Sequence, residues 1–313
     1  MRGRAGIVIL VCLTGLTSLI GLTGLVSKPS RQVVVYCAQD QAYAEPIFRD
    51  FEKENGLKVR AVYDNEAVKT VGLANRLLAE RSHPQCDVFW GNEEMRTRQL
   101  AAQNVFRETN GWAAFSYRSR RIVINTNKLS MADAPRSLLE LTNQNWQGKV
   151  AMAYPQFGTT GAHLHALRQF WGEAGWEQWC QALIANKPLL VDGNSMVVKL
   201  VGGAEALVGL TDSDDIADAQ REGLPVAPLP MSNETLLIPN TVAIIRMAPH
   251  PEAAQRLSDF LQRPAIVERL VTERALEGTD PKSVSVATLK VNWDQLLGEL
   301  EPTTAKLNRL FLR

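Results

Sequence analysis

The sequence predicts an α/β fold made of two lobes, and three observations lead to that prediction. Short β-branched runs alternate with amphipathic stretches from residue 33 onwards, which indicates parallel strands joined by helices. The same alternation resumes after Lys128 without visible sequence repetition, which favours a second α/β lobe. Polar residues follow the predicted strands directly, at the strand ends where ligands bind in open α/β sheets.

The first predicted lobe begins with a strand–helix–strand–helix–strand pattern. Residues 33–37, 57–63 and 86–90 are apolar runs typical of buried parallel strands. A helix with one apolar face follows the first strand and ends near Gly56, and residues 66–81 form the next helix. Two right-handed crossovers then produce a parallel sheet.

Further elements continue along the chain at typical spacing. We predict helices at 93–103, 138–141, 162–171, 177–185, 196–201, 251–261 and 292–312, and strands at 120–125, 148–153, 189–191, 206–210 and 241–245.

The carboxyl ends of the first and third strands carry Asp40 and Asn92, and the second strand ends at Asp64 and Asn65. The switch-point rule places such side chains next to a ligand. Asp and Asn are also ordinary turn residues, so a purely structural role is the alternative.

The turn after the strand at 206–210 carries three carboxylates. Asp212 is the expected N-cap of the next helix, with Asp215 as a capping-box-like partner. Asp214 and Asp215 either complement the dipole of that helix or face a ligand.

Two helix starts of the second lobe offer anion sites. Thr159 and Thr160 precede the helix at 162, and Asn194 and Ser195 precede the helix at 196. Free backbone N–H groups and side-chain hydroxyls at a positive helix end bind anions, although each group is also an ordinary helix cap.

Composition and motifs narrow the function. A net charge of +1 without a basic block argues against a nucleic-acid-binding protein and favours a small or zwitterionic partner. No nucleophile elbow, HExxH, CxxC or Walker motif is present, so an enzyme is disfavoured. The remaining enzyme hypothesis is a divalent metal held by Asp212, Asp214 and Asp215, and a solvent-shielded acid/base pair beside Thr159 would favour it.

The N-terminus predicts export. Arg2 and Arg4 precede an uncharged stretch at 5–27 that is long enough to span a bilayer, and residues 27–32 form a short polar tether. Because no convincing cleavage site ends this stretch, we expect a retained inner-membrane anchor, with a cleaved signal peptide as the alternative.

The cysteines beyond the anchor are expected to be free thiols. Cys37, Cys86 and Cys180 are odd in number, and each lies in an apolar context. If the strand order is 2-1-3, Cys37 and Cys86 lie at opposite ends of neighbouring strands, too far apart for a disulfide.

The order of these elements resembles the two-lobed periplasmic solute-binding proteins of ABC importers, in particular the ferric-iron-binding type. The similar stretches are residues 33–40, 86–92, 157–161, 193–196, 208–215 and 248–252.

This resemblance implies a class II periplasmic-binding-protein architecture, in which crossing strands join two lobes around a central cleft. The expected lobes are 31–125 plus about 240–275 for the first and 126–239 for the second, with 276–313 as a helical segment packed on both. The implied partner is an ABC importer permease, and we expect a periplasmic monomer.

One departure from that family concerns the ligand. Ferric-binding relatives place two adjacent tyrosines where this chain has Asp214 and Asp215, and no tyrosine falls in this turn. Carboxylates can still hold ferric iron or another hard cation, so both aspartates are candidate metal ligands. A zwitterion such as an aminoalkyl phosphonate fits equally well, with carboxylates on one side of the cleft and helix ends on the other.

Overall fold

The computed structural model describes residues 31–64, 69–109, 111–156 and 158–312. The strands are β1 (Gln32–Cys37), β2 (Lys58–Val62), β3 (Val88–Gly91), β4 (Trp112–Asn125), β5 (Val150–Ala153), β6 (Leu189–Val191), β7 (Val208–Asp212), β8 (Val226–Pro228) and β9 (Leu237–Ile244). The helices are α1 (Gln41–Asn55), α2 (Lys69–Ala79), α3 (Glu94–Ala102), α4 (Gly158–Ala185), α5 (Asn194–Gly202), α6 (Ser213–Arg221), α7 (Pro251–Leu261), α8 (Pro264–Thr272), α9 (Trp293–Gly298) and α10 (Leu300–Phe311).

The strands are hydrogen-bonded in the order β2-β1-β3-β9-β4-β7-β5-β6, and β8 pairs with β4. In the first lobe, β1 runs parallel to both β2 and β3. In the second lobe, β5 runs parallel to both β6 and β7. The prediction of two α/β lobes, with strand order 2-1-3 at the start, is therefore confirmed.

The long strand β4 joins the two lobes, in agreement with the crossing strands that the resemblance implies, although the residue pattern did not identify β4 as such a strand. Residues 112–119 of β4 pair with β9, and residues 120–125 pair with β7 and β8. The register of the pairing with β9 shifts between Phe115 and Arg118, shortly before β4 changes partner at Arg120. We expected each lobe to have its own sheet and β4 to begin at Arg120, but β4 belongs to both.

Each lobe has apolar clusters on both faces of its strands. In the first lobe, α1, α7 and α8 cover one face and α2 and α3 the other. In the second lobe, α4, α9 and α10 cover one face and α5 and α6 the other. The exact lobe boundaries remain predictions.

Two helical predictions need correction. α4 begins at Gly158 rather than at 162 and continues to Ala185, with a break at Gly172, whose positive φ of 73° suits glycine. The tail helix predicted at 292–312 is divided at Glu299 into α9 and α10. Leu296 and Leu300 are almost fully buried, so the tail contributes to the second-lobe core.

Cys37, Cys86 and Cys180 are buried free thiols, as predicted. The predicted anchor at 5–27 lies outside the described residues. Within the described ranges, no helix combines the length and apolar character that crossing a membrane requires.

Candidate functional site

The candidate site lies where β7 passes into α6, beside the crossing strand β4. β4 and β7 are antiparallel, and Arg120 lies directly opposite Asp212 in their register. Side chains alternate between the faces of a strand, so Arg118 lies on the same face as Arg120. Two guanidinium groups of β4 are thereby brought to the carboxylates that begin α6.

Asp212 is the centre of a buried polar network. Its carboxylate accepts hydrogen bonds from Arg120 Nη1 at 2.7 Å, Thr159 Oγ1 at 2.8 Å and Asn194 Nδ2 at 3.1 Å. Arg118 Nη1 also lies 3.1 Å from Asp212 Oδ2. Burial alone would raise the pKa of Asp212, but the charges of Arg118 and Arg120 outweigh it and hold the pKa below its ordinary value.

This network corrects the prediction of a capping box. Asp212 occupies the N-cap position of α6, but its side chain makes no capping hydrogen bond to that helix. The two guanidinium groups attract the carboxylate more strongly than the backbone N–H groups do, because charge-assisted hydrogen bonds are the stronger ones. The carboxylate of Asp215 accepts a hydrogen bond from Thr211 Oγ1 at 3.5 Å.

The helix starts predicted as anion sites are already engaged by groups of the chain itself. Thr159, in the first turn of α4, donates to Asp212, and Asn194, at the start of α5, bonds both Asp212 and Arg120. Thr160 is buried and lies 3.5 Å from Asn194 Oδ1 through its hydroxyl, while Ser195 is half-buried in the first turn of α5. The Asp212 carboxylate therefore accepts hydrogen bonds from a side chain at each of these two helix starts.

Asp214 is buried but incompletely satisfied. Arg118 Nη1 donates to its Oδ2 at 2.5 Å. Its other oxygen, Oδ1, is buried and has no hydrogen-bond partner among the described residues. Burial, the charges of Asp212 and Asp40, and only partial compensation by Arg118 raise its pKa to about 6.

Asp215 completes the acid cluster, which we define as Asp212, Asp214 and Asp215. It is half-buried, and burial followed by the charges of Asp214 and Asp212 raises its pKa well above the ordinary value. One ligand atom from each of the three side chains can be chosen so that all lie within 4.8 Å of one another. Carboxylates this close can coordinate a hard cation or bind an ammonium group.

The first lobe faces the acid cluster from its strand ends. Asp40, at the end of β1, is half-buried, and its charge contributes to the raised pKa of Asp214 and of Asp215. Asn92, after β3, accepts a hydrogen bond from Arg118 Nη2 at 3.0 Å through its backbone carbonyl. The structure therefore places Asp40 near the acid cluster and the backbone of Asn92 on Arg118, and contact of their side chains with a ligand stays a prediction. Asn65, at the end of the second strand, lies outside the described residues.

Sequence reasoning missed the two arginines and one tyrosine. Arg118 and Arg120 escaped notice because the strand was expected to begin at Arg120; an Arg-x-Arg pair within a strand was the available signal. Tyr43 lies close enough to Asp214 and Asp40 for their charges to help raise its pKa, and its hydroxyl donates to Asp218 and accepts from Arg221. Nothing in the sequence around Tyr43 distinguishes it from a core residue of α1.

Comparisons with known proteins identify relatives of this chain. A family model described as bacterial extracellular solute-binding protein matches residues 33–271. The chain is 30% identical over 196 residues to an Fe(3+)-binding periplasmic protein of Serratia marcescens, an alignment that covers 57% of this chain and 56% of the relative. The chain thus spans about half the length of this curated relative.

Solved structures share the fold at low sequence identity. Iron-bound HitA from Pseudomonas aeruginosa superposes with a TM-score of 0.76 at 18% identity, over 88% of this chain and 99% of that chain. AfuA from Actinobacillus pleuropneumoniae, with fructose-6-phosphate bound, superposes with a TM-score of 0.73 at 18% identity, over 89% and 97%. One structure has iron bound and the other an organic phosphate, so the fold by itself does not identify a ligand.

Proposed function

The chain belongs to the family of bacterial extracellular solute-binding proteins, and on that premise we propose that it captures a solute with a positively charged group for an ABC importer. Membership of this family places the chain among binding proteins rather than enzymes. The acid cluster and the first-lobe residues that face it form the proposed ligand site.

The charge balance of the site carries this proposal. Four carboxylates face two guanidinium groups there, from Asp40, Asp212, Asp214 and Asp215 and from Arg118 and Arg120. Negative charge that is buried without full compensation is costly, which is why the pKa values of Asp214 and Asp215 are raised. A cationic group of the solute would supply the missing compensation.

An organic ammonium group fits the contacts better than a bare metal ion. Arg118 Nη1 lies within hydrogen-bond distance of both Asp212 and Asp214, so a metal ion between these carboxylates would face a guanidinium group. An ammonium donor can instead satisfy the unpartnered Oδ1 of Asp214. The buried Nε of Arg118, which also lacks a partner among the described residues, offers a donor to an anionic end of the same solute. A zwitterion such as an aminoalkyl phosphonate has both features.

Ferric iron or another hard cation is the second candidate ligand. The closeness of the three carboxylates supports it, as do the names of relatives that bind ferric iron. In this case Asp214 and Asp215 would be the metal ligands, and Arg118 would have to move away from them. The missing tyrosine pair argues against a ferric site of the usual ligand set.

The enzyme alternative predicts a shielded acid/base pair beside Thr159, and two buried carboxylates, Asp212 and Asp214, lie there. Asp212 has a lowered pKa and Asp214 a raised one. However, hydrogen bonds from arginine, threonine and asparagine side chains engage both oxygens of Asp212. A carboxylate held in this way is a poor proton acceptor, so the pair supports a structural role for Asp212 better than catalysis.

The cellular setting is proposed on the same premise. We propose that the protein acts outside the cytoplasm as a monomer, with residues 5–27 as an inner-membrane anchor, and transfers its solute to an importer permease. The lobes that close on the solute are proposed to be 31–125 with about 240–275, and 126–239.

Calorimetric titration of the purified full-length chain tests the proposed ligand class. Aminoethylphosphonate, ethylphosphonate and a soluble ferric chelate are compared, since the first two differ only in the ammonium group. We expect aminoethylphosphonate to bind at least about tenfold more tightly than ethylphosphonate, because a charge-assisted contact contributes about 1.5–3 kcal/mol. Equal binding of these two phosphonates would contradict the proposal. Uptake of iron from the chelate, with no binding of either phosphonate, would instead support ferric iron as the ligand.

A further inference from the structure

The helices α1 and α6 bond each other directly, although each packs on the strands of a different lobe. Tyr43 of α1 belongs to an apolar cluster of the first-lobe strands, whereas Ile216 and Ala219 of α6 belong to a cluster of the second-lobe strands. The Tyr43 hydroxyl donates to Asp218 and accepts from Arg221, both of which lie in α6. Tyr43 and Asp218 are 175 residues apart in the sequence. The Tyr43 side chain therefore connects the two lobes.

Each of these three side chains contacts the other two. Arg221 pairs with Asp218 and also lies over the Tyr43 ring, with its Cζ 5.4 Å from the ring centroid. A guanidinium group over an aromatic face is attracted to the ring electrons, in addition to its hydrogen bond. Tyr43 itself is only 3% exposed, so its ring is held in place by packing. We call Tyr43, Asp218 and Arg221 the α1–α6 latch.

A second contact joins the same part of α6 to the first lobe. Gln220 Oε1 accepts a hydrogen bond from Arg274 Nη2 at 2.8 Å. Arg274 directly precedes Ala275 and Leu276, which belong to the same first-lobe cluster as Tyr43. The last turns of α6 are therefore bonded to the first lobe at two separate points.

The α1–α6 latch lies one helical turn from the acidic residues in both helices. Asp40 is the N-cap residue of α1, and its carbonyl accepts a hydrogen bond from the backbone N–H of Tyr43 at 3.0 Å. Asp218 follows Asp214 by four residues in α6, which places both side chains on one face of that helix. Because a single helical turn is rigid, the bond between Tyr43 and Asp218 fixes the spacing between Asp40 and Asp214.

The acidic residues themselves oppose this close spacing. Burial, and after it the charges of nearby carboxylates that include Asp40, raise the pKa values of Asp214 and Asp215. The charges of Asp214 and Asp40 likewise add to burial in raising the pKa of Tyr43 to about 12. Like charges that approach each other from two lobes favour separation of those lobes. The contacts of α6 with the first lobe act against that separation.

We propose that the α1–α6 latch positions the ligand site: by bonding Asp218, Tyr43 keeps Asp40 opposite the acid cluster and thereby slows release of the solute. Tyr43 acts through the two helix turns and is a positioning residue rather than a contact of the solute. The effect on release rests on the proposed function, whereas the effect on the distance between the lobes requires no solute.

Double electron–electron resonance measures the distance between the lobes in the full-length, solute-free chain. Lys53→Cys on α1 and Lys199→Cys on α5 carry the spin labels, because both positions are exposed and lie outside the latch. Cys12→Ser removes the thiol that lies outside the described residues, and the other three cysteines are buried. The same labelled background is used for every variant.

Tyr43→Phe removes only the hydroxyl group that bonds α6, and Asp218→Ala removes its acceptor. The matched control is Tyr63→Phe, which removes a first-lobe hydroxyl that has no hydrogen-bond partner among the described residues. We expect both latch variants to shift the distance distribution to larger values, the double variant to shift it no further, and Tyr63→Phe to leave it unchanged. An unchanged distance in Tyr43→Phe, or fully additive shifts in the double variant, would overturn the proposal.

Stopped-flow measurement of aminoethylphosphonate binding, followed by tryptophan fluorescence, tests the effect on release. We expect Tyr43→Phe to raise the dissociation rate constant by about threefold to tenfold and to change the association rate constant by less than about twofold. Tyr63→Phe should match the wild type. Equal dissociation rate constants in Tyr43→Phe and the wild type would overturn the positioning role. If the wild type does not bind the phosphonate, the proposed function fails, and the distance measurement still decides whether the latch holds the lobes together.

Discussion

Asp212 and the pair Asp214–Asp215 are separated by only one residue, yet their surroundings are opposite. Asp212 is hydrogen-bonded through both oxygens and has a lowered pKa. Asp214 has an unpartnered oxygen, faces the charge of Asp40 in the other lobe and has a raised pKa, as does Asp215. The difference teaches that a compensated buried charge supports the structure, whereas an uncompensated one marks a place for a ligand.

The largest expected effect is a loss of stability on removing the Asp212 charge. Asp212→Asn removes the charge that compensates Arg118 and Arg120, both 4% exposed or less, and we expect a loss of about 3–5 kcal/mol in the free energy of unfolding. Urea unfolding followed by circular dichroism measures it. Asp294→Asn, on the exposed face of α9, is the matched control and should change stability by less than about 0.5 kcal/mol. A decrease of less than about 1 kcal/mol in the free energy of unfolding of the Asp212→Asn variant would contradict the structural role of Asp212.

The next effect concerns affinity. The double variant Asp214→Asn with Asp215→Asn keeps the shape of the turn but removes the charges that face the ligand. We expect the affinity for a cationic solute to fall by about tenfold to a hundredfold, with no loss of stability at neutral pH. Titration calorimetry and urea unfolding of the same preparation measure both quantities. Retained affinity would mean that these aspartates only complement the dipole of α6.

A pH series sharpens the comparison. The folded-state pKa of Asp214, about 6, exceeds its ordinary value, so its contribution to stability is fully present below about pH 4 and is lost as the pH rises through 6. The Asp214→Asn variant has no titratable group at this position. The contributions of the other titratable groups to the pH dependence largely cancel in the stability difference between the two proteins. We therefore expect the stability of the variant relative to the wild type to increase by on the order of 1–3 kcal/mol between pH 4 and pH 7. A constant difference across this range would contradict the raised pKa.

The smallest effect concerns the helix start beside Asp212. Thr159→Val removes one of the donors to Asp212, and we expect a loss of about 1 kcal/mol in the free energy of unfolding. Because Asp212 already occupies this helix start, solute affinity should change by less than about threefold. A larger loss of affinity would show that Thr159 contacts an anionic part of the solute directly.

Much of this arrangement could be predicted from the sequence. Alternating apolar runs located most strands of both lobes, and strand ends identified Asp40, Asn92 and the acid cluster as neighbours. These features depend on local periodicity and on a general rule for parallel sheets.

The partners of the carboxylates could not be predicted in the same way. Arg118 and Arg120 reach Asp212 through the pairing of β4 with β7, across more than ninety residues of sequence. The local pattern of residues predicts a strand but not which strand lies beside it. The sequence therefore suggested an anion site at Thr159 without indicating that the Thr159 hydroxyl bonds the Asp212 carboxylate. Long-range register decides which charges are compensated.

Native mass spectrometry of the full-length chain, purified from its own host, tests the central claim most directly. We expect a co-purifying solute whose mass and fragmentation identify a basic nitrogen, or a metal ion in the case of the second candidate. The variant with Asp214→Asn and Asp215→Asn, prepared in parallel, should lack it. A purely anionic or neutral solute retained equally by both proteins would contradict the assignment of the acid cluster as a site for a cationic group.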